Sequence, residues 1–77
     1  MEVHKTLDAR GFACPMPIVK TKKAIEELNP GEVLEVIADD PGAKEDFPAW
    51  CEGTGHKLVK MEEKGEDIYI YIEKKGG

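Results

Sequence analysis

The sequence predicts an α+β fold, a two-layer α/β sandwich in the order β-α-β-α-β-β. Apolar residues recur at helical spacing in two segments and fit strand patterns in four others. A strand–helix–strand crossover makes a parallel pair with a right-handed connection, whereas a closing hairpin makes the four-stranded sheet mixed. Both helices need an apolar surface, so we expect them together on one face of the sheet. The 77 residues suffice for a single domain over 1–77.

The first strand is predicted over Val3–Asp8, with Val3, Lys5 and Leu7 on one face. A turn containing Gly11 follows, and a helix runs from about Pro15 to Leu28. The buried stripe of this helix is predicted to comprise Ile18, Thr21, Ile25 and Leu28, with Val19 beside them. The helix stops at the Asn-Pro-Gly sequence of residues 29–31.

The second strand, Glu32–Ala38, is apolar on both faces and is therefore predicted inside the sheet. A second helix lies between Ala43 and Thr54. Because Pro48 lacks an N–H, the continuous helix is expected to start near Phe47, after a looser turn. Its core stripe is predicted to comprise Phe47, Trp50, Cys51 and Thr54.

The last third is predicted to be a β-hairpin. Lys57–Glu63 pairs with Asp67–Lys74 around a turn that contains Gly65. Isoleucines at 68, 70 and 72 alternate with tyrosines at 69 and 71, a period of two that is typical of a strand.

Composition excludes several classes of function. The net charge of −5 disfavours direct binding of nucleic acid or an anionic membrane. With no signal-peptide pattern and no apolar run long enough to span a bilayer, a cytoplasmic protein is expected. Two cysteines 37 positions apart make no disulfide framework, and two cysteines and two histidines scattered singly predict neither a metal site nor a cofactor.

The sequence Cys14-Pro15-Met16-Pro17 carries the strongest functional signal. Proline is tolerated in the first helical turn, where backbone N–H groups have no intrahelical partner. Cys14 is therefore predicted to cap the helix, where the helix dipole and the free N–H groups favour the reactive thiolate. The alternative is a cysteine that merely packs.

Other side chains support a site at Cys14 without defining one. Arg10, Lys20, Lys22 and Lys23 form either a docking or anion-stabilising surface or an ordinary solvated face. Met16 is either a partner contact or packed. Cys51 is predicted to be a core residue rather than a resolving thiol. Neither histidine is spaced to pair with Cys14, which disfavours a stand-alone hydrolase.

The run from Leu7 to Ala24, with its Cys-Pro-x-Pro sequence, closely resembles the start of the TusA/SirA/YedF family of small sulfur-carrier proteins. The segment ending in Asp-Asp-Pro at 39–41 and the Trp50-Cys51 helix also agree, so the resemblance covers nearly the whole chain. It implies a two-layer sandwich with a four-stranded mixed sheet and two helices. Ala13 and Met16 differ from the basic and acidic residues usual in tRNA-thiolation members, and the YedF-like branch fits better.

The resemblance also implies a function. Cys14 would accept sulfane sulfur as a persulfide from a donor such as a cysteine desulfurase and pass it to an acceptor protein. The relay would serve tRNA thiolation or other sulfur or selenium metabolism, and the chain would be a sulfurtransferase-type carrier that acts with partners. The alternative hypothesis is a non-catalytic binding or regulatory module that uses the Cys14 helix end as a recognition surface.

Overall fold

A computed structural model of the chain describes residues 2–76. Its elements are β1 (Lys5–Asp8), α1 (Met16–Glu26), β2 (Val33–Ala38), α2 (Ala43–Thr54), β3 (Lys57–Lys64) and β4 (Asp67–Glu73). The predicted single domain over 1–77 includes Met1 and Gly77, which lie outside the described residues. No helix within 2–76 is long and apolar enough to cross a membrane.

The strands form one mixed sheet in the order β1-β2-β4-β3. β1 and β2 are parallel, and β4 pairs antiparallel with both β2 and β3. The predicted fold class is therefore confirmed. Because the two strand–helix units run in the same sense, the residues before α1 and those before α2 meet at one edge of the sheet, beyond the carboxyl ends of β1 and β2.

The core lies between the helices and one face of the sheet. β2 is an interior strand as predicted, and its Leu34 and Val36 are fully buried. Ile70 of β4 and Phe47 of α2 are equally buried in the same cluster. Cys51 joins this cluster, which confirms its predicted place in the core.

The first strand and helix are shorter than predicted. β1 begins at Lys5, and Val3 is exposed. α1 covers Met16–Glu26 rather than Pro15–Leu28.

The prediction that Val19 borders the buried stripe of α1 is wrong, since Val19 is 41% exposed. The buried side chains of this segment are Pro17, Thr21, Ala24, Ile25 and Leu28. At 100° per residue, Val19 lies about 200° from Thr21, on the opposite side of the helix.

The second helix starts earlier than predicted. It begins at Ala43, not near Phe47, and continues through Pro48. The N–H groups of Ala43 and Lys44 bond to the carbonyls of Asp40 and Pro41, so the preceding loop closes the first turn. The proline ring crowds only the carbonyl four residues earlier, in that first turn, where the helix tolerates it. Asp46 therefore lies in the first turn of the regular helix α2.

Candidate functional site

The loop that carries Cys14 joins β1 to α1 at the carboxyl edge of the parallel strands. Two consecutive carboxylates at the end of β2 hold it in place. The N–H of Gly11 donates to both Asp39 oxygens, at 3.0 and 3.1 Å. The N–H of Cys14 donates to Asp40 Oδ2 at 2.9 Å. The left-handed backbone of Gly11, with φ of 85°, suits glycine at this turn.

The start of α1 offers the Cys14 sulfur fewer donors than the sequence suggests. Pro15, not Cys14, occupies the N-cap position, and no side chain caps the helix. Pro15 and Pro17 have no N–H, and the N–H of Met16 already donates to the Ala13 carbonyl at 2.9 Å. The prediction that Cys14 caps the helix is therefore wrong, although its side chain is exposed directly before the first turn.

Carboxylates, rather than cations, govern the protonation of Cys14. A hydrogen bond to the Asp46 carboxylate raises the pKa of the Cys14 thiol above its ordinary value, and partial desolvation and the charge of Asp40 add to the effect. The expectation of a thiolate favoured by the helix dipole is wrong for the isolated chain. A hydrogen bond given by the thiol and a nearby negative charge both favour the neutral form.

The two carboxylates converge beside Gly42. A Cβ on Gly42 would lie 3.4 Å from Asp40 Oδ2 and 3.6 Å from Asp46 Oδ2. The same Asp40 oxygen accepts the Cys14 N–H. Asp39, Asp40 and Asp46 are not among the site residues predicted from the sequence. The order of elements could have indicated this convergence. Two parallel strand–helix units place the loops between strand and helix at the same end of the sheet.

The four predicted basic residues do not form one cluster in the structure. The Arg10 guanidinium bonds to Asp8, with Nε 3.0 Å from Oδ1, and approaches Asp67 Oδ2 at 3.4 Å. The Lys20 ammonium lies 4.4 Å from the centroid of the Phe12 ring. Lys22 lines a groove between the carboxyl halves of the helices, with Trp50 among its walls. Lys23 lies in the last turn of α1.

An exposed apolar patch lies on the Cys14 loop and the start of α1. We define it as Phe12, Met16 and Val19, each about two-fifths exposed. Met16 and Val19 are three residues apart and share a helix face. Met16 is thus not a core residue, and its role as a partner contact stays a prediction. The patch is flanked by Lys20, which covers the Phe12 ring.

Cys51 stands apart from this site. Its side chain is 3% exposed, and burial raises its pKa to about 11. Both cysteines are free thiols. Cys51 thus packs as a small apolar residue and is not presented to Cys14 as a resolving thiol.

The chain matches known proteins over almost its whole length. A family model described as Sulfurtransferase TusA matches residues 5–74. YrkI of Bacillus subtilis (strain 168) is 50% identical over 74 residues, covering 96% of this chain and 99% of the relative. The sulfur carrier protein TusA of Allochromatium vinosum is 43% identical over 73 residues, covering 95% of this chain and 96% of that protein. The crystal structure of a SirA-like protein from Desulfitobacterium hafniense superposes with a TM-score of 0.82 at 31% identity, covering 95% of this chain and 100% of the other.

Proposed function

The chain belongs to the TusA family of sulfur carrier proteins, and from this premise we propose that Cys14 carries sulfane sulfur as a persulfide. Membership implies interaction with sulfur donor and acceptor proteins. The observation that supports Cys14 as the site is its exposed thiol on a loop tied to β2 through Asp40, whereas Cys51 is buried.

The proposed loading step moves one sulfur atom with no net redox change. The Cys14 sulfur attacks the outer sulfur of the donor's persulfide. A new bond forms between these two sulfurs, and the bond between the donor's two sulfurs breaks. The donor leaves as a thiolate and takes up the proton that Cys14 released. Discharge repeats the exchange with an acceptor thiol as the attacking group.

The apolar patch supports docking of these partners. Phe12, Met16 and Val19 expose apolar surface on the loop that carries Cys14 and on the start of α1, which a donor or acceptor protein could contact. Aromatic residues and methionine are enriched in protein interfaces. Lys20 adds a charged rim to this surface. A cysteine desulfurase is the class of donor we propose, with a second protein as the acceptor.

The alternative is a binding or regulatory module without sulfur chemistry, and one observation favours it. The pKa of Cys14 is raised, not lowered, so the isolated chain holds a neutral thiol near neutral pH. Persulfide transfer nevertheless requires the thiolate only while donor and carrier are in contact. We therefore retain the carrier as the first proposal.

Incubation with a cysteine desulfurase and isotope-labelled cysteine separates the two. The wild-type chain and Cys51→Ala should acquire label that a thiol reductant removes, whereas Cys14→Ser should not. Addition of an acceptor thiol should discharge the label from the loaded chain. Equal labelling of Cys14→Ser would exclude the proposed site, and absence of label from every variant would favour the binding module.

A further inference from the structure

We propose that Asp46 is a specificity-determining residue for Cys14, directing it towards sulfur donors that carry positive charge beside the reactive sulfur. This inference rests on the proposed function. It assigns to the donor protein a lysine or arginine next to its persulfide, and it disfavours small anionic sulfur compounds as direct donors.

Two carboxylates from different segments border the sulfur. Asp40 comes from the loop after β2 and accepts the Cys14 N–H at 2.9 Å. Asp46 comes from the first turn of α2 and is the main cause of the raised pKa of the Cys14 thiol. Their Oδ2 atoms both lie within 3.6 Å of a Cβ position on Gly42. Two negative charges therefore lie close together on the side of Cys14 that faces the start of α2.

Two nearby cations are paired with other carboxylates. Lys44 Nζ, also in the first turn of α2, lies 2.6 Å from Glu63 Oε1 on β3. Arg10 on the Cys14 loop bonds to Asp8 and Asp67. Lys20 lies over the uncharged Phe12 ring and keeps its charge on the side of α1. On the side of β2 and α2, Asp39 and Glu45 add further carboxylates, so the local field there is negative.

This arrangement opposes anionic reactants in two ways. The carboxylates repel an anion on approach, and they disfavour the thiolate that must attack. A cation beside the incoming sulfur reverses both effects, because it neutralises the field and stabilises the forming thiolate. The unloaded carrier would thus stay unreactive towards free anionic electrophiles and become reactive when a basic partner docks.

Thiol–disulfide exchange with two matched small disulfides tests this selection on the whole 77-residue chain. Cystamine carries two positive charges, and 3,3′-dithiodipropionate carries two negative charges on the same two-carbon arms. In each reaction Cys14 attacks one sulfur, the reagent's S–S bond breaks, and the released thiol takes up the proton. The measured quantity is the ratio of the two rate constants, cationic over anionic, which is compared among variants so that the reagents' intrinsic reactivities cancel.

Asp46→Asn should lower this ratio about fivefold to tenfold, the effect expected of one unit charge a few ångströms away in a water-like dielectric. Asp46→Glu, which keeps the charge, should restore most of it. Glu45→Gln removes one charge from the same turn of α2 and should change the ratio less than about twofold. A wild-type ratio in Asp46→Asn, or an equal loss in Glu45→Gln, would overturn the assignment.

A salt titration of the unmodified chain tests the same idea without relying on the folding of a variant. Rising ionic strength should slow the reaction with cystamine and speed that with the anionic disulfide. Insensitivity of both rates would overturn the inference. If the rate ratio depends on Asp46 but no persulfide is loaded, only the proposed function is refuted. If loading is normal but the rate ratio does not depend on Asp46, only the proposed role of Asp46 is refuted.

Discussion

The backbone N–H of Cys14 donates a hydrogen bond of 2.9 Å to a carboxylate oxygen of Asp40, 26 residues later in the chain. The same carboxylate also accepts the N–H of Gly42 through its other oxygen, at 3.3 Å. One side chain therefore connects the thiol-bearing loop to the turn that starts α2. It holds the loop in place and puts negative charge next to the sulfur.

Removal of the Asp40 carboxylate should destabilise the fold. Asp40→Ala deletes acceptors for two N–H groups and should lower the free energy of unfolding by about 1–2 kcal/mol. Asp40→Asn keeps an acceptor oxygen and should recover at least half of the loss. Urea denaturation of the three proteins measures both values. Equal stability of wild type and Asp40→Ala would show that the hydrogen bonds to Asp40 do not contribute to the stability of the fold.

The pH dependence of Cys14 alkylation tests the electrostatic account. The ordinary pKa of this thiol is 9.0, and hydrogen bonding to Asp46 raises it. Since iodoacetamide reacts with the thiolate, the midpoint of the rate profile should lie above 9.0 for wild type. It should fall in Asp46→Asn and stay unchanged in Glu45→Gln. A wild-type midpoint below the ordinary value would contradict the account and restore the thiolate expected from the helix dipole.

Cys51 should behave as a core residue. Its buried thiol should resist alkylation in the native chain, because burial raises its pKa to about 11 and excludes the reagent. Cys51→Ala should cost about 1–2 kcal/mol of stability, the effect of deleting a small buried group. Denaturation and labelling in native buffer check the two statements. Modification of Cys51 at the rate of Cys14 would contradict them.

Tyr71 should make the fold sensitive to alkaline pH. Its hydroxyl donates to Glu35 Oε2 at 2.7 Å, and this bond and burial raise its pKa to about 12 from 10.0. The folded chain thus retains this proton more tightly than the unfolded chain. The contribution is complete below pH 10.0 and is lost as pH rises towards about 12.

Comparison with Tyr71→Phe isolates that contribution. The variant should be less stable than wild type at pH 7, by about 1–2 kcal/mol, and the difference should shrink above pH 10.0. Tyr69→Phe, two residues earlier on β4, is the control and should show no such convergence. A constant difference between wild type and Tyr71→Phe across the pH range would refute the linkage.

A substitution in the apolar patch should slow sulfur transfer without destabilising the fold. Val19 and Val59 are both exposed, at 41% and 36%, but only Val19 belongs to the patch beside Cys14. Val19→Ser should slow sulfur loading by a desulfurase several-fold and leave stability within about 0.5 kcal/mol. Val59→Ser, on β3, should leave loading unchanged. Equal rates for the two variants would remove Val19 from the docking surface.

Sequence patterns predicted the order of elements and the interior position of β2, because period and turn residues report local structure directly. The protonation of Cys14 could not be predicted in the same way. It depends on Asp46, 32 positions away in the sequence, and on a helix that continues through Pro48. The prolines that identify the motif also remove N–H groups from the helix start, so the sulfur gains less from the dipole than a generic N-terminus would provide.

The mass of the tryptic peptide 11–20, taken after loading by a cysteine desulfurase and trapping with iodoacetamide, tests the central claim most directly. We predict that this peptide carries one additional sulfur atom, lost on reduction, while the peptide that contains Cys51 carries none. An unmodified 11–20 peptide from a chain that has acquired sulfur elsewhere would contradict the assignment of Cys14 as the carrier site.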